Sequence, residues 1–430
     1  VDGQYVVTDN HQQLRDNCKD SIKHSWGNGG DIDGEKVFND LNNLDNMSDL
    51  EYEQFVLYLN QNGIHIPGNC TKDELKAAVE SALMDKAFQY NGTPYENLTQ
   101  GEREIFVYLY EEKHPEQASI MNEFTKDMPT GSGWNAQGNL HSFDNDNINI
   151  RFLVYTAPEP EKSLFLEYAD DVEVIWDCEC NPNWGYENSM GKRVLHIDLT
   201  GYIDSKGSFQ SGGGIYDPRG PYVTLFHEYG HYLDDILGDG DPDGDGYLSE
   251  NVGLTETIRE EVRADIEKNL KDYCKSAGIS LDDDGDGDDT DEIEAIVNEL
   301  TSPGTVDNTS GWSQNMQDAY NGLINEYKNG WSFANIQYDP GYKSEAFEGV
   351  SDVYTGITDM RIDYGYGHRG YTPSYWYPDG TLSSSGGKEF FAEAFSHTFT
   401  RSPRNQSVNT QNVLGESDDA YSQMIDGASN

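Results

Sequence analysis

Positive charge is what this chain has least of. It carries 28 Lys and Arg against 78 Asp and Glu, a formal net charge of −50 over 430 residues. A field of that sign repels nucleic acid and anionic membrane surfaces and attracts cations, so no nucleic-acid partner is expected. Long apolar runs are missing as well. No stretch reaches the roughly 18 residues that a membrane span requires, so no span is expected. Cysteine is scarce and odd in number, five in all, which excludes a disulfide scaffold. Cys18 and Cys70 are placed to pair, and Cys274 reads as a buried thiol in a helical run. Cys178 and Cys180, in WDCECNPNW, lack the second Cys/His pair that a structural zinc site needs. The chain begins Val1-Asp2 rather than with Met, as a trimmed mature form does, and a secreted protein is expected.

What is present suffices for a folded protein: 35% hydrophobic and 12% aromatic residues, with 28 Tyr. The length allows two or three domains. Residues 1–130 read as a small helical domain. Capping boxes at Ser48/Glu51, Thr71/Glu74 and Thr99/Glu102 each precede an apolar-periodic run. The segment 128–139 has the composition of a linker. Beyond it Ile148–Tyr155, Val172–Trp176 and Val194–Leu199 read as strands. SGGGIYDPRG lacks the lysine of a phosphate-binding loop, so Gly212, Gly213 and Gly214 read as flexible loop. Helices are expected near 254–276, 291–301, 312–329, 344–360 and 388–400, and a polar, peripheral tail over the last thirty residues. The fold class is therefore α+β: a second domain over 140–425 with a small mixed sheet, and a helical insertion at about 239–340.

The chemistry concentrates in Pro221–Leu237, PYVTLFHEYGHYLDDIL. His227 and His231 are four residues apart, so in a helix both imidazoles lie on one face and can bind one zinc ion. Glu228, beside the first histidine, is placed to act as a base on water. Directly after, DGDPDGDGYLSE has the texture of an EF-hand loop, with Asp239, Asp241, Asp243, Asp245 and Glu250 as calcium ligands. A second acidic loop, DDDGDGDD, offers Asp282, Asp284 and Asp286 for calcium but no carboxylate at the twelfth position.

A zinc site of this kind needs a third protein ligand. Leu237 stands where an HExxHxxGxxH pattern would place a third histidine, so that pattern is excluded. Two glutamates compete. Glu389 and Glu393 share a helical face in EFFAEAF, and Glu348 and Asp352 share one in FEGVSDVY.

HEYGHYLDD followed far downstream by EFFAEAF resembles the catalytic domain of anthrax lethal factor and its relatives, which include the Pro-Pro endopeptidases. The likeness extends over roughly 140–410 in architecture but only about twenty residues at motif level. It implies a zincin-like fold with His227, His231 and Glu389 as zinc ligands and Glu228 as general base. Glu393, and Asp234 of HYLDD, would support the ligand histidines. The chain departs from the family in two respects. The two motifs are much farther apart here, and Leu382 occupies the position, seven before the ligand glutamate, where relatives carry a tyrosine. Tyr375 or Tyr377 from the 365–377 loop can fill that role, with His368 a rival; Tyr375 is favoured. FEGVSDVY is similar to the NExxSD helix of thermolysin-like peptidases, which makes Glu348 the alternative third ligand; Glu389 is favoured because its match is longer. The expectation is a secreted, calcium-stabilised zinc endopeptidase acting on protein or peptide substrates. The alternative is a catalytically degenerate zincin-fold protein of calcium-dependent adhesion or toxin delivery.

Overall fold

Each expected capping box forms. Glu51, Glu74 and Glu102 accept the N–H groups of Ser48 (2.7 Å), Thr71 (3.0 Å) and Thr99 (2.9 Å), relieving donors that the helix itself leaves unpaired. The computed structural model describes residues 31–89, 94–135, 138–176, 185–189, 192–203, 209–210, 214–215, 221–238, 246–282, 285, 287–302, 308–329, 348–362, 373–400 and 414–429. Over these the chain is α+β, mostly helical with small sheets. It divides into two compact units. The first holds the chain to Thr125 with Thr130–Ser132 and Ser142–Thr156; the second holds Lys126–Pro129, Gly133–His141 and everything from Ala157.

The first unit contains α1 (Gly34–Leu41), α2 (Asp49–Gln61), α3 (Lys72–Ala87), α4 (Pro94–Asn97), α5 (Gln100–Lys113), α6 (Pro115–Phe124) and α7 (Phe143–Thr156). The last of these corrects an expectation, because Ile148–Tyr155 is helix and not strand. Every residue from Asn149 to Thr156 is buried, and an all-round buried helix has the same apolar texture as a buried strand. Its polar members are satisfied inside the unit. Arg151 bonds Glu111 (2.6 Å), Asn122 (2.8 Å) and Thr125 (3.0 Å), and Asn149 accepts from Arg103 Nε (2.8 Å). Among the described residues Cys70 is a free thiol; Cys18, its expected partner, lies outside them.

The second unit opens with α8 (Glu161–Tyr168) and a three-stranded sheet. Strand β1 (Glu173–Trp176) runs parallel to β3 (Lys192–Ile197), which is central, and β2 (Gly185–Ser189) is antiparallel to β3 and forms an edge. A short antiparallel pair, β4 (Tyr202–Ile203) and β5 (Phe209–Gln210), follows. The expected strands at 172–176 and 194–199 are thus present. Gly214 is more than loop slack: a Cβ there would lie 2.1 Å from the Leu199 carbonyl oxygen. The helices that follow are α9 (Val223–Leu237), α10 (Leu248–Asn251), α11 (Leu254–Ala277), α12 (Thr290–Leu300), α13 (Gln314–Asn329), α14 (Glu348–Ile357), α15 (Pro373–Trp376), α16 (Ser385–Thr400) and α17 (Gly415–Ala428). Cys274 is buried in α11 as a free thiol.

Helix α17 replaces the expected peripheral tail. Tyr421, Met424 and Ile425 are buried, Tyr421 meets Phe391 edge-on, and the Glu261 carboxylate accepts the N–H groups of Glu416 (2.6 Å) and Ser417 (3.0 Å). The acid on α11 thereby caps the helix start. No described helix is long and apolar enough to cross a membrane.

Phe165 of α8, fully buried, stacks on Tyr229 (4.2 Å between centroids) and tilts against Phe226 and Phe399. Phe165→Ala should destabilise the protein by about 3–5 kcal/mol through the cavity it leaves, read as a lower denaturant midpoint.

Candidate metal centre

Helix α9 is buried on almost every side, which commits each of its polar side chains to a partner. It starts at Tyr222, whose left-handed φ of 64° turns the chain, with its N–H on the Gly214 carbonyl (3.0 Å); it stops at Gly238. Helix α16 crosses it. At the crossing a Cβ on Gly230 would stand 2.7 Å from Ala392 Cα, so glycine is what lets the two backbones approach this closely. Phe226 stacks on Phe399 (4.6 Å) and Tyr229 on Phe395 (5.9 Å), while Ser396 Oγ donates to the Val223 carbonyl (3.1 Å).

That crossing brings His227, His231 and Glu389 together. Among the described residues these three form the group able to hold a metal ion. Nε2 of His227 is 3.1 Å from Nε2 of His231, and Glu389 Oε2 is 3.3 Å and 3.5 Å from those two nitrogens. Ligands at about 2.0–2.1 Å from a tetrahedral zinc stand about 3.3–3.4 Å apart, so the three atoms fit three corners of such a site. The local charge fits too. His227 and Glu389 are buried, Glu393 Oε1 lies 3.0 Å from His227 Nδ1, and Glu228 is the next residue on the helix. Burial pulls the His227 imidazole pKa down, yet the carboxylates of Glu393, Glu389 and Glu228 outweigh it and hold it well above its ordinary value. A buried group this rich in carboxylate calls for positive charge.

Glu228 accepts the backbone N–H of Tyr186, on edge strand β2, at 3.0 Å. The Tyr375 hydroxyl donates to Glu389 Oε1 (2.5 Å), so the favoured tyrosine reaches the centre. Tyr377 points its hydroxyl elsewhere, to the Ile357 carbonyl (2.7 Å). Glu348 opens α14. Glu393 stands against His227, whereas the hydrogen bonds of Asp234 go to the N–H (2.8 Å) and hydroxyl (2.6 Å) of Ser249. Burial pushes the Asp234 pKa up to about 7, with the Ser249 bonds pulling the other way.

Of the expected calcium ligands, Asp239, Asp241, Asp243, Asp245, Asp284 and Asp286 lie outside the described residues, as does His368. Asp282 accepts the Gly287 N–H (3.2 Å). Glu250 is engaged with the Ser384 hydroxyl and with Lys388 Nζ (3.2 Å), and Lys388 in turn sits 3.6 Å over the Tyr247 ring. These contacts tie α10 to the start of α16, just before Glu389. Gly246 and Asn251 both lie against the end of α9: a Cβ on Gly238 would meet the Gly246 carbonyl oxygen at 1.8 Å, and Asn251 Nδ2 donates to the Gly238 carbonyl (2.9 Å).

Sequence reasoning did not single out Asp235, Tyr186 or the Gly230–Ala392 approach. The glycine inside HEYGH and the alanine inside EFFAEAF were the available signals for the last.

No protein-family model, no curated protein and no solved structure matches this chain. Fold and site define it on their own terms, as an α+β protein in which two crossing helices gather a His–His–Glu group whose first histidine and glutamate are buried. Glu389→Ala should lose a stoichiometric zinc on dialysis and Glu348→Ala should retain it; metal analysis of the two proteins compares them directly.

Proposed function

We propose that this chain is a secreted zinc-dependent endopeptidase with a zincin-like catalytic unit of the lethal-factor type. The observation that carries the reading is the convergence of His227, His231 and Glu389 at tetrahedral spacing, with Glu228 adjacent. Zinc bound there would act as a Lewis acid toward the scissile carbonyl and lower the pKa of the attacking water.

The chain's own groups supply the rest. Glu228 takes the proton from the attacking water and returns it to the leaving amine. The Tyr375 hydroxyl, a donor already at the centre, hydrogen-bonds the carbonyl oxygen as it becomes negative. Glu393 holds the His227 ring so that Nε2 faces the centre. Strand β2 is a sheet edge, and although its Tyr186 N–H goes to Glu228, an edge of this kind can receive an extended peptide through its other outward backbone groups. An endopeptidase uses such a strand to align a chain across its metal.

Glu228→Gln should keep full zinc content and lose peptide cleavage by at least about a hundredfold, the range that general-base removal spans. Cleavage of a peptide library by wild type, stopped by a zinc chelator, separates this reading from the degenerate adhesion or toxin-delivery alternative. The proposal includes structural calcium at Asp239, Asp241, Asp243 and Asp245, the alternating acids of an EF-hand-like string. Calcium at a hundredfold over its Kd should then add about 2.7 kcal/mol of stability, seen as a rise in Tm over the calcium-free protein; no rise would remove calcium from the proposal.

A further inference from the structure

Asp235 stands two helical turns after Glu228, and that spacing puts both carboxylates on one face of α9. The face meets edge strand β2. Asp235 is 2% exposed, and its Oδ2 receives three donors: the Tyr186 hydroxyl, Asn188 Nδ2 (3.0 Å) and Arg193 Nε (2.9 Å). Tyr186 and Asn188 are alternate residues of β2, so their side chains leave the strand on the same side. Arg193 belongs to β3 and stands opposite Asn188 in the register. One carboxylate oxygen therefore fastens two strands to the helix, and the guanidinium compensates a charge that burial would otherwise penalise.

Tyr186 is consequently held at both ends by α9. Its hydroxyl goes to Asp235, and its backbone N–H goes to Glu228 Oε2 at 3.0 Å. A glutamate has three side-chain torsions, and a fixed amide on one oxygen removes much of that freedom. Oε1 is left to receive the proton.

We propose that Asp235 is a positioning residue: by clamping Tyr186 and Asn188 it places the Tyr186 amide, and that amide aims Glu228 at the His227–His231–Glu389 centre. The proposal rests on the peptidase reading for what Glu228 does, but not for how Glu228 is held. Asp235 touches no reacting atom. Its effect travels through one backbone hydrogen bond, and displacement of a catalytic group by about 1 Å can cost on the order of a hundredfold in rate.

The test uses the zinc-loaded full chain, with Asp235→Asn and Tyr186→Phe compared with wild type. Steady-state cleavage of a fluorogenic peptide should show kcat lower by about tenfold or more in Asp235→Asn and by about threefold in Tyr186→Phe, with KM within about twofold and zinc content unchanged. Unchanged kcat in both variants, or a rise in KM alone, overturns the proposal. So does a loss that tracks lost zinc or lost secondary structure in both. Tyr186→Phe removes one hydroxyl and decides the matter if Asp235→Asn does not fold. Hydrogen exchange over residues 185–189 supplies a readout free of activity: both variants should exchange this segment faster than wild type, and equal exchange overturns the clamp. Should wild type cleave no peptide, the peptidase reading fails while the exchange result still decides whether Asp235 fixes the strand.

Discussion

The close approach of α9 and α16 at Gly230 and Ala392 is the constraint on which the second unit's chemistry depends. Each helix carries two site residues at i,i+4: His227 and His231 on one, Glu389 and Glu393 on the other. Such pairs form ladders along a helix face. Two ladders meet usefully only if the axes are near enough for short imidazole and carboxylate side chains to converge without solvent between them. Gly230 gives that approach, and the stacked rings of Phe226, Tyr229, Phe395 and Phe399 prevent the helices from sliding. The position of Glu389 is fixed further at the start of α16, where Thr255 Oγ1 accepts the Gly387 N–H (2.9 Å) and donates to the Ser384 carbonyl (3.0 Å). Helix α11, read from sequence as part of an insertion, is thus a support of the site.

Charge works on two scales. The acidic surface is a solubility feature with a bias toward cations. Inside the unit the carboxylates are placed individually, each against a specific counterpart. Asp235 has Arg193, Glu250 has Lys388, and Glu393 has His227. Glu389 faces two imidazoles that are neutral when they serve as ligands. The centre is thus a buried place where acid outnumbers base, and a divalent cation would complete its charge. That contrast, rather than the total of −50, points to a metal.

The sequence was legible where one local rule decides. HExxH in an apolar helix, three capping boxes and two of the strands followed from spacing and end signals, and EFFAEAF contains the glutamate, Glu389, that the structure brings to the two histidines. It was opaque where tertiary burial decides. INIRFLVY is helix because Arg151 and Asn149 find partners within the first unit, which no period in the string records. The polar tail is helix α17 because Glu261, far away in sequence, caps it. Glu250 suited a calcium loop by position, yet Ser384 and Lys388 draw it to α16. The resemblance called for a tyrosine but placed it at Leu382, and no pattern in the loop decided between Tyr375 and Tyr377; the two hydroxyls separate because one reaches Glu389 and the other a helix-end carbonyl.

The pair Asp234-Asp235 shows how much two adjacent letters can hold. Neighbours on a helix point about 100° apart, so two consecutive carboxylates cannot serve one partner. Asp234 turns to Ser249 and fastens the returning chain of α10; Asp235 turns to β2 and β3. Helix α9 is thereby bracketed just after its second histidine, by the acidic-loop side through one residue and by the sheet through the next. Neither aspartate needs to contact a metal for HYLDD to matter to the centre. A ligand histidine is only as well placed as the turn that follows it, and here that turn is pinned in two directions.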